Sequence, residues 1–173
     1  MGENGGAEII EPPAAQALPR SDMVRVTEGV RDDELQQLYR DPYISRVGHD
    51  YRPASPIDHP LVTYLSAWVG DVFVGAFMAI QQTAIEIEVH ALLQRKAIMR
   101  SRELGMAFID WCFSRPIQRI TAWVIEGLES AKNYCLRLGF TFEGVRRSAC
   151  VQNGSVKDLY MLGMTRQQWS DIK

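Results

Sequence analysis

Two carboxylates and an imidazole alternate along one apolar segment, AIEIEVHALL, and both groups can accept a proton during catalysis. In a strand, Glu86, Glu88 and His90 share one face, while the intervening isoleucine and valine residues share the other. Imidazoles exchange protons near neutral pH, and a carboxylate can act directly or through a water. Glu88 and His90 are therefore candidate general bases. The alternative is a polar sheet face covered by solvent or arginine, with His90 an interior histidine whose hydrogen bonds are satisfied.

The next stretch, QRKAIMRSRE at residues 94–103, has the composition of a phosphate-binding helix start but contains no glycine. A helix N-terminus attracts anions, and Arg95, Lys96, Arg100 and Arg102 add side-chain charge that can hold phosphate. The alternative is a set of solvated basic residues on an ordinary helix.

Cysteines and the remaining histidines provide no metal-ligand pattern. Cys112, Cys135 and Cys150 are far apart and fit no CxxC spacing, so we expect free thiols that pack as small core residues. His49 and His59 lie in a Pro- and Asp-rich stretch and are interpreted as surface histidines near the entrance of a substrate.

Composition limits the class of protein. The chain has 173 residues, 46% of them hydrophobic, which predicts one domain with a sizeable core. Its net charge of −2 gives no whole-chain attraction to nucleic acid or an anionic membrane. The basic cluster lacks an aromatic platform, which argues against nucleic-acid binding. No apolar run reaches a membrane span and no signal peptide is recognised, so we expect a cytoplasmic protein without membrane association.

The composition of residues 1–22 separates them from the rest of the chain. They are rich in Gly, Pro and Ala and lack any helical or strand period, which predicts an arm that is flexible or held by a partner. The domain is expected over residues 23–173.

Hydrophobic periodicity then predicts the order β α loop β β β α β α β β, which is typical of a mixed α/β sheet with helices on its faces. The predicted strands cover 23–27, 61–69, 72–80, 83–92, 117–125, 140–151 and 155–164. Predicted helices begin at Asp32, within the basic stretch, near Ser130 and after Thr165. Asn153-Gly154 predicts the turn of the last hairpin.

The C-terminal third, AKNYCLRLGFTFEGVRRSACVQNGSVKDLYMLGMTRQQW at 131–169, resembles the GCN5-related N-acetyltransferases (GNAT). It is most similar to the branch that acetylates the N-termini of ribosomal proteins, and the resemblance extends over about residues 23–170. The motifs that carry it are Leu138-Gly139-Phe140, Glu143-Gly144, Arg146 or Arg147, Asn153-Gly154, Asp158, Gly163-Met164-Thr165-Arg166 and Trp169.

The resemblance implies the GNAT fold, with six or seven mostly antiparallel strands and helices on both faces. It implies acetyl coenzyme A as donor, and an amine or protein N-terminus as acceptor. The base would be Glu88 or His90, and the backbone N–H of Leu92 or Leu93 would contact the thioester carbonyl. The implied binding residues for coenzyme A are Leu92, Leu93, Gln94, Arg95, Lys96, Ala97, Ile98, Met99, Arg100 and Arg102.

Several positions depart from the family pattern. Ala97 and Met99 replace small residues of the pyrophosphate loop, and the methionine side chain falls where phosphate oxygens should pass. Leu128 stands where relatives have an asparagine, and Cys135 stands where many relatives have the tyrosine that protonates the leaving thiolate. Tyr134 is one residue away, about 100° around the helix axis.

These departures keep a second hypothesis open. The chain could be a catalytically impaired GNAT-fold protein that acts in an assembly, such as a homo-oligomer or a phage particle, through residues 1–22. Small proteins of this divergent type resemble some that phages encode. The two hypotheses differ in one observation: Met99 or Arg100 filling the gap between the fourth and fifth strands would favour the assembly component.

Overall fold

The computed structural model describes residues 23–51 and 55–173 of the chain. Seven strands form one sheet in the order β1-β2-β3-β4-β5-β7-β6, and only β4 and β5 pair in parallel. The predicted mixed sheet is confirmed. The strands are β1 Val24–Glu28, β2 Val62–Val69, β3 Val72–Thr83, β4 Glu86–Leu93, β5 Arg119–Ile125, β6 Thr141–Gln152 and β7 Ser155–Thr165.

Helices cover both faces of the sheet, as predicted. Leu35 and Leu38 of α1 and Ile44 of α2 pack on the face that carries Ala76, the α1/α2 face. α3, α4 and α5 supply the core of the opposite face, the α3/α4 face. The helices are α1 Asp32–Arg40, α2 Pro42–Ser45, α3 Ser101–Phe113, α4 Glu129–Leu138 and α5 Arg166–Ile172, with a 3₁₀ helix over Arg95–Arg100.

The larger core lies between the sheet and α3. Phe77 of β3 and Phe108 of α3 are stacked with ring centroids 4.4 Å apart, and Ile87 of β4 and Leu104 of α3 are buried in the same cluster. Because alternate residues of a strand face opposite sides, this packing turns the polar residues of β4 toward the α1/α2 face. The core therefore orients the candidate catalytic row.

Local signals mark the ends of the C-terminal elements where the sequence predicts them. Gly139 ends α4 with φ of 99°, a left-handed conformation that glycine adopts without steric cost. Thr165 begins α5 with a capping box that it forms with Gln168. Asn153 and Gly154 both have positive φ, 51° and 73°, in the hairpin turn.

The predicted arm of residues 1–22 lies outside the described residues, so its role stays a prediction. Within the described part of the chain, no helix has both the length and the apolar character needed to span a bilayer.

Candidate active site

The parallel strands β4 and β5 separate along their length. They pair at only three positions, the last being Glu88 with Thr121. β4 continues to Leu93 and β5 to Ile125, with no further pairing between them. Beyond Glu88 the two strands therefore leave a V-shaped gap in the sheet.

A cavity of about 530 Å³ occupies this gap and reaches both faces of the sheet. On the α1/α2 face its wall includes Glu88 and His90. On the α3/α4 face it includes Phe108 of α3 and Tyr134 of α4. Two molecules that enter from opposite faces could therefore meet inside the gap.

Backbone groups of β4 also face the gap. The Gln94 N–H donates to the carbonyl of Val74 at 3.0 Å, so the N–H of Gln94 is directed toward β3. Successive residues of a strand direct their N–H and C=O groups to alternate edges. The N–H of Leu92 is therefore also directed toward β3, and the N–H of Leu93 is directed toward the gap. Of the two amides implied by the family resemblance, the Leu93 N–H is the one directed toward the gap, while Leu92 is the one among the described residues that line the cavity.

Glu88 and His90 form a hydrogen-bonded pair at the cavity wall. The His90 Nε2 to Glu88 Oε1 distance is 2.8 Å, and Gln82 donates to the other carboxylate oxygen at 3.1 Å. Both side chains are partly buried, 21% exposed for Glu88 and 34% for His90. The pair is thus held in place while remaining accessible from the cavity.

Glu86 lies on the same face but is held by structural partners. It accepts a hydrogen bond from the Thr121 hydroxyl at 2.6 Å and pairs with Arg119 at 3.4 Å. Arg119 also forms a two-point ion pair with Glu143, which raises the pKa of the Arg119 guanidinium. The alternative interpretation, a polar face covered by arginine, applies to Glu86, and the role of Glu88 and His90 stays a prediction.

Residues 94–103 continue from β4 as the 3₁₀ helix and the start of α3. Ala97 is fully buried, while Met99 is 78% exposed and Ile98 is half-exposed. Neither Met99 nor Arg100 is among the described residues that line the cavity. The Gln94 Oε1 atom is buried without a hydrogen-bond partner among the described residues.

The basic side chains of this stretch differ in environment. Arg100 is buried and pairs with Glu103 through two hydrogen bonds of 2.7 Å, which lowers the pKa of the Glu103 carboxyl. Partial desolvation lowers the pKa of the Lys96 amino group, and Asp41 opposes this shift. Arg95 and Arg102 are exposed. Lys96, Arg95 and Arg102 are thus the cations of this stretch that solvent can reach.

Two of the positions that depart from the family pattern, Leu128 and Cys135, line the cavity at α4. Leu128 is the N-cap residue of α4 and has no side-chain capping bond. The Tyr134 hydroxyl donates to the Ser101 carbonyl at 2.9 Å, and burial raises its pKa. Burial also raises the pKa of the Cys135 thiol to about 11, so the thiol stays protonated at neutral pH.

The stretch that sequence analysis placed near the entrance of a substrate covers the cavity on the α1/α2 face. Val47, Gly48 and His49 line it, whereas His59 lies in the turn before β2. Asp50 accepts the backbone N–H groups of the Asn153-Gly154 turn at 2.7 and 2.8 Å, which lowers the Asp50 pKa. The tip of the β6–β7 hairpin therefore holds this segment in place, a contact between distant segments that periodicity does not reveal.

No protein-family model and no curated protein matches the sequence. The structure is similar to spermidine N-acetyltransferase from Vibrio cholerae in complex with CoA and spermine, with a TM-score of 0.73 at 13% identity over 85% of this chain and 98% of that chain. It is also similar to a chimera of the Vibrio cholerae enzyme and hSSAT, with a TM-score of 0.73 at 13% identity over 86% of this chain and 98% of that chain.

The seven-stranded mixed sheet is therefore the GNAT acetyltransferase fold, as the sequence resemblance predicts. At 13% identity this similarity shows the fold alone, and it does not select the ribosomal-protein branch or a phage origin. Those finer assignments stay predictions.

The residues of the gap fit an elongated acyl coenzyme A. The cavity between β4 and β5 has room for a narrow chain, the Leu93 amide is directed toward the gap, and the Gln94 side chain at the end of β4 has a buried acceptor without a described partner. Because the stretch lacks glycine, a pyrophosphate here would have to be held by side-chain cations instead of by close backbone approach. Among the described residues there is no cluster of His, Cys, Asp or Glu suited to a metal ion.

Proposed function

We propose that this protein is an N-acetyltransferase that moves an acetyl group from acetyl coenzyme A to an amine. The observation that carries the proposal is the Glu88–His90 pair at the wall of a cavity open to both faces of the sheet. An amine that enters from the α1/α2 face would meet a proton acceptor at the point where the strands separate.

Acetyl coenzyme A, when bound, supplies an activated acetyl thioester. The transfer forms a C–N bond and breaks the C–S bond, so the amine must lose a proton and the thiolate must gain one. Glu88 or His90 takes the amine proton, directly or through a water. The Leu93 N–H is the group suited to stabilise negative charge on the carbonyl oxygen.

Proton delivery to the thiolate has two candidates on α4. Cys135 lines the cavity and carries a proton at neutral pH, although its raised pKa of about 11 makes this thiol a weaker acid than an unburied one. Tyr134 already donates its hydroxyl proton to the Ser101 carbonyl. We therefore assign Tyr134 to positioning α4 against α3, and Cys135 or a water to the proton transfer.

Coenzyme A would lie along residues 92–102 in this proposal. Leu92 and Leu93 would border the thioester arm. The Gln94 side chain, at the start of the 3₁₀ helix, would donate or accept a hydrogen bond with coenzyme A. The exposed Arg95 and Arg102 and the half-buried Lys96 would hold the pyrophosphate, while Arg100 would support the helix through Glu103.

The acceptor class remains an amine or a protein N-terminus. The alternative, an assembly component, predicts Met99 or Arg100 inside the gap, but Met99 is largely exposed and Arg100 pairs with Glu103. This placement supports the enzyme over the assembly component.

The test is calorimetric titration with acetyl coenzyme A, followed by measurement of coenzyme A thiol release with amine acceptors. We expect the native protein to bind with micromolar affinity. Met99→Gly should bind at least as tightly, because it removes an exposed side chain and gives the backbone access to the anion. Lys96→Ala should weaken binding more than Lys157→Ala, a charge-matched control on β7. Absence of binding by both the native protein and a folded Met99→Gly variant would refute the proposal.

A further inference from the structure

The half of the cavity on the α1/α2 face contains one carboxylate. Glu88 is the only Asp or Glu among its described lining residues, and His90 already occupies one of its oxygens. The rest of this half is mainly apolar: Ile44, Val47, Ile57, Met78, Ile80, Trp123, Ile125 and Leu159 line it. A polycation would lose water here without gaining further carboxylate partners. The lining instead favours an acceptor with one amine on an apolar body.

Arg146 lies across this half of the cavity from Glu88 and His90. Ile125 of β5 pairs with Leu159 of β7, and Leu159 pairs with Arg146 of β6. Because directly paired residues project from the same face, these three side chains form a row on the face that carries Glu88 and His90. Arg146 lines the cavity, is exposed, and has no ion-pair partner among the carboxylates that the structure describes.

We propose that the acceptor is an apolar amine that also carries a carboxylate, and that Arg146 binds this carboxylate. This inference rests on the proposed function, because it assigns the substrate class of the same site. Glu88 and His90 receive the amine on the β4 side, and Arg146 receives the anion on the β6 side. An arginine can hold a carboxylate through two parallel hydrogen bonds, which adds orientation as well as affinity.

The sheet sets a minimum length for such an acceptor. From β4 to β6 there are three strand intervals of about 4.8 Å each, roughly 14 Å, and the separation of β4 from β5 adds to this distance. The Arg146 side chain bridges only part of it. One extended residue spans about 3.5 Å, so the amine and the carboxylate should be separated by at least a dipeptide. A polyamine lacks the anion and would place a second cation near Arg146.

The experiment measures binding of the dipeptide Leu-Leu, its C-terminal amide and spermidine by calorimetry, with and without coenzyme A. We expect Leu-Leu to bind about fivefold to tenfold more tightly than its amide, as one charge-assisted contact provides. Arg146→Ala should remove this preference. Arg147→Ala, the matched control, removes the same charge from the next residue, which is exposed and not among the described residues of the cavity wall, and should keep the preference.

Equal binding of the acid and the amide overturns the inference, and so does no binding of either peptide. A loss of preference in Arg147→Ala equal to that in Arg146→Ala also overturns it, because it would report net charge only. Binding does not require turnover, so the two proposals can fail separately. If Leu-Leu binds more tightly than its amide but is not acetylated, the result counts against the proposed function alone. Acetyl transfer to the amide and to spermidine as fast as to the acid counts against the inference alone.

Discussion

At the scale of single residues, identical side chains two positions apart serve different purposes. Glu86 and Glu88 share a strand face, but Glu86 bonds to Thr121 and pairs with Arg119, whereas Glu88 bonds to His90 and lines the cavity. The last β4–β5 pair falls at Glu88, so Glu86 lies where the strands still pair and His90 lies where they separate. Strand separation, and not residue type, makes the second carboxylate a candidate base.

This difference predicts the effect of charge removal at each position. Glu88→Gln keeps a hydrogen-bonding side chain near His90 but removes the negative charge, so the rate of acetyl transfer should fall by about 10²-fold to 10³-fold. Acetyl coenzyme A affinity should be unchanged. Glu86→Gln should lower thermal stability through the Arg119 network and leave the transfer rate within about threefold.

Initial rates, calorimetry and melting temperatures measured on the same preparations separate the two effects. His90→Gln tests the other member of the pair. If Glu88→Gln and His90→Gln both keep the native rate, the pair does not accept the amine proton.

At the scale of elements, β3 approaches β4 closely next to the cavity. Gly75 has φ of 142°, and a Cβ there would lie 2.8 Å from the Leu93 Cα and closer still to the Leu92 carbonyl oxygen. Gly75 pairs with Leu93 on one side and with Ala67 on the other, beside a register shift in β2. The glycine thereby lets β3 hold the part of β4 that presents the Leu93 amide to the gap.

Gly75→Ala should therefore lower the free energy of unfolding by about 2 kcal/mol or more, because backbone atoms must move and φ is unfavourable for alanine. Acetyl coenzyme A should also bind more weakly, since β4 borders its site. Gly144→Ala is the matched control: no heavy atom lies within 4 Å of its added Cβ, and we expect a change within about 0.5 kcal/mol. Urea denaturation measures the free energy of unfolding of both variants. Equal stability of the two variants would contradict the role given to Gly75.

At the scale of the whole molecule, the core and the α4 side of the cavity contain three groups whose pKa values are raised by burial. Burial raises the pKa values of the Cys112 and Cys135 thiols and of the Tyr134 phenol. Each group is neutral when protonated, so the folded state retains these protons longer than the unfolded chain does. Stability should therefore be highest below the ordinary pKa of the thiols and fall at more alkaline pH.

Cys135 sets a defined window for this effect, because its pKa rises from 9.0 to about 11 on folding. Below pH 9 both states keep the proton and the contribution to stability is complete. Between pH 9 and 11 the unfolded state loses the proton first, so up to about 1.4 kcal/mol per pH unit is lost. Urea denaturation at several pH values should show a shallower decline for Cys135→Ala than for the native protein. An identical decline would mean that the thiol is not shielded in the folded state.

The sequence by itself determined the seven strands, four of the α-helices and their order, because their signals are local; α2, in a stretch predicted as a loop, and the 3₁₀ helix over Arg95–Arg100 were not predicted. Alternation predicted β4, Gly139 predicted the end of α4, and Asn153-Gly154 predicted the hairpin turn, each from the steric preferences of a few neighbouring residues. The candidate base pair was also visible, since strand period alone places Glu88 and His90 on one face.

Only the tertiary structure decided which of these residues face a cavity and which are held by partners. Arg119 pairs with Glu86 from another strand, and Asp50 binds the turn at residues 153 and 154 from about a hundred residues away. The position of Arg146 opposite Glu88 follows from strand pairing across β5, β7 and β6. Pairing and side-chain geometry of this kind depend on the assembled sheet, and no local pattern in the sequence encodes them.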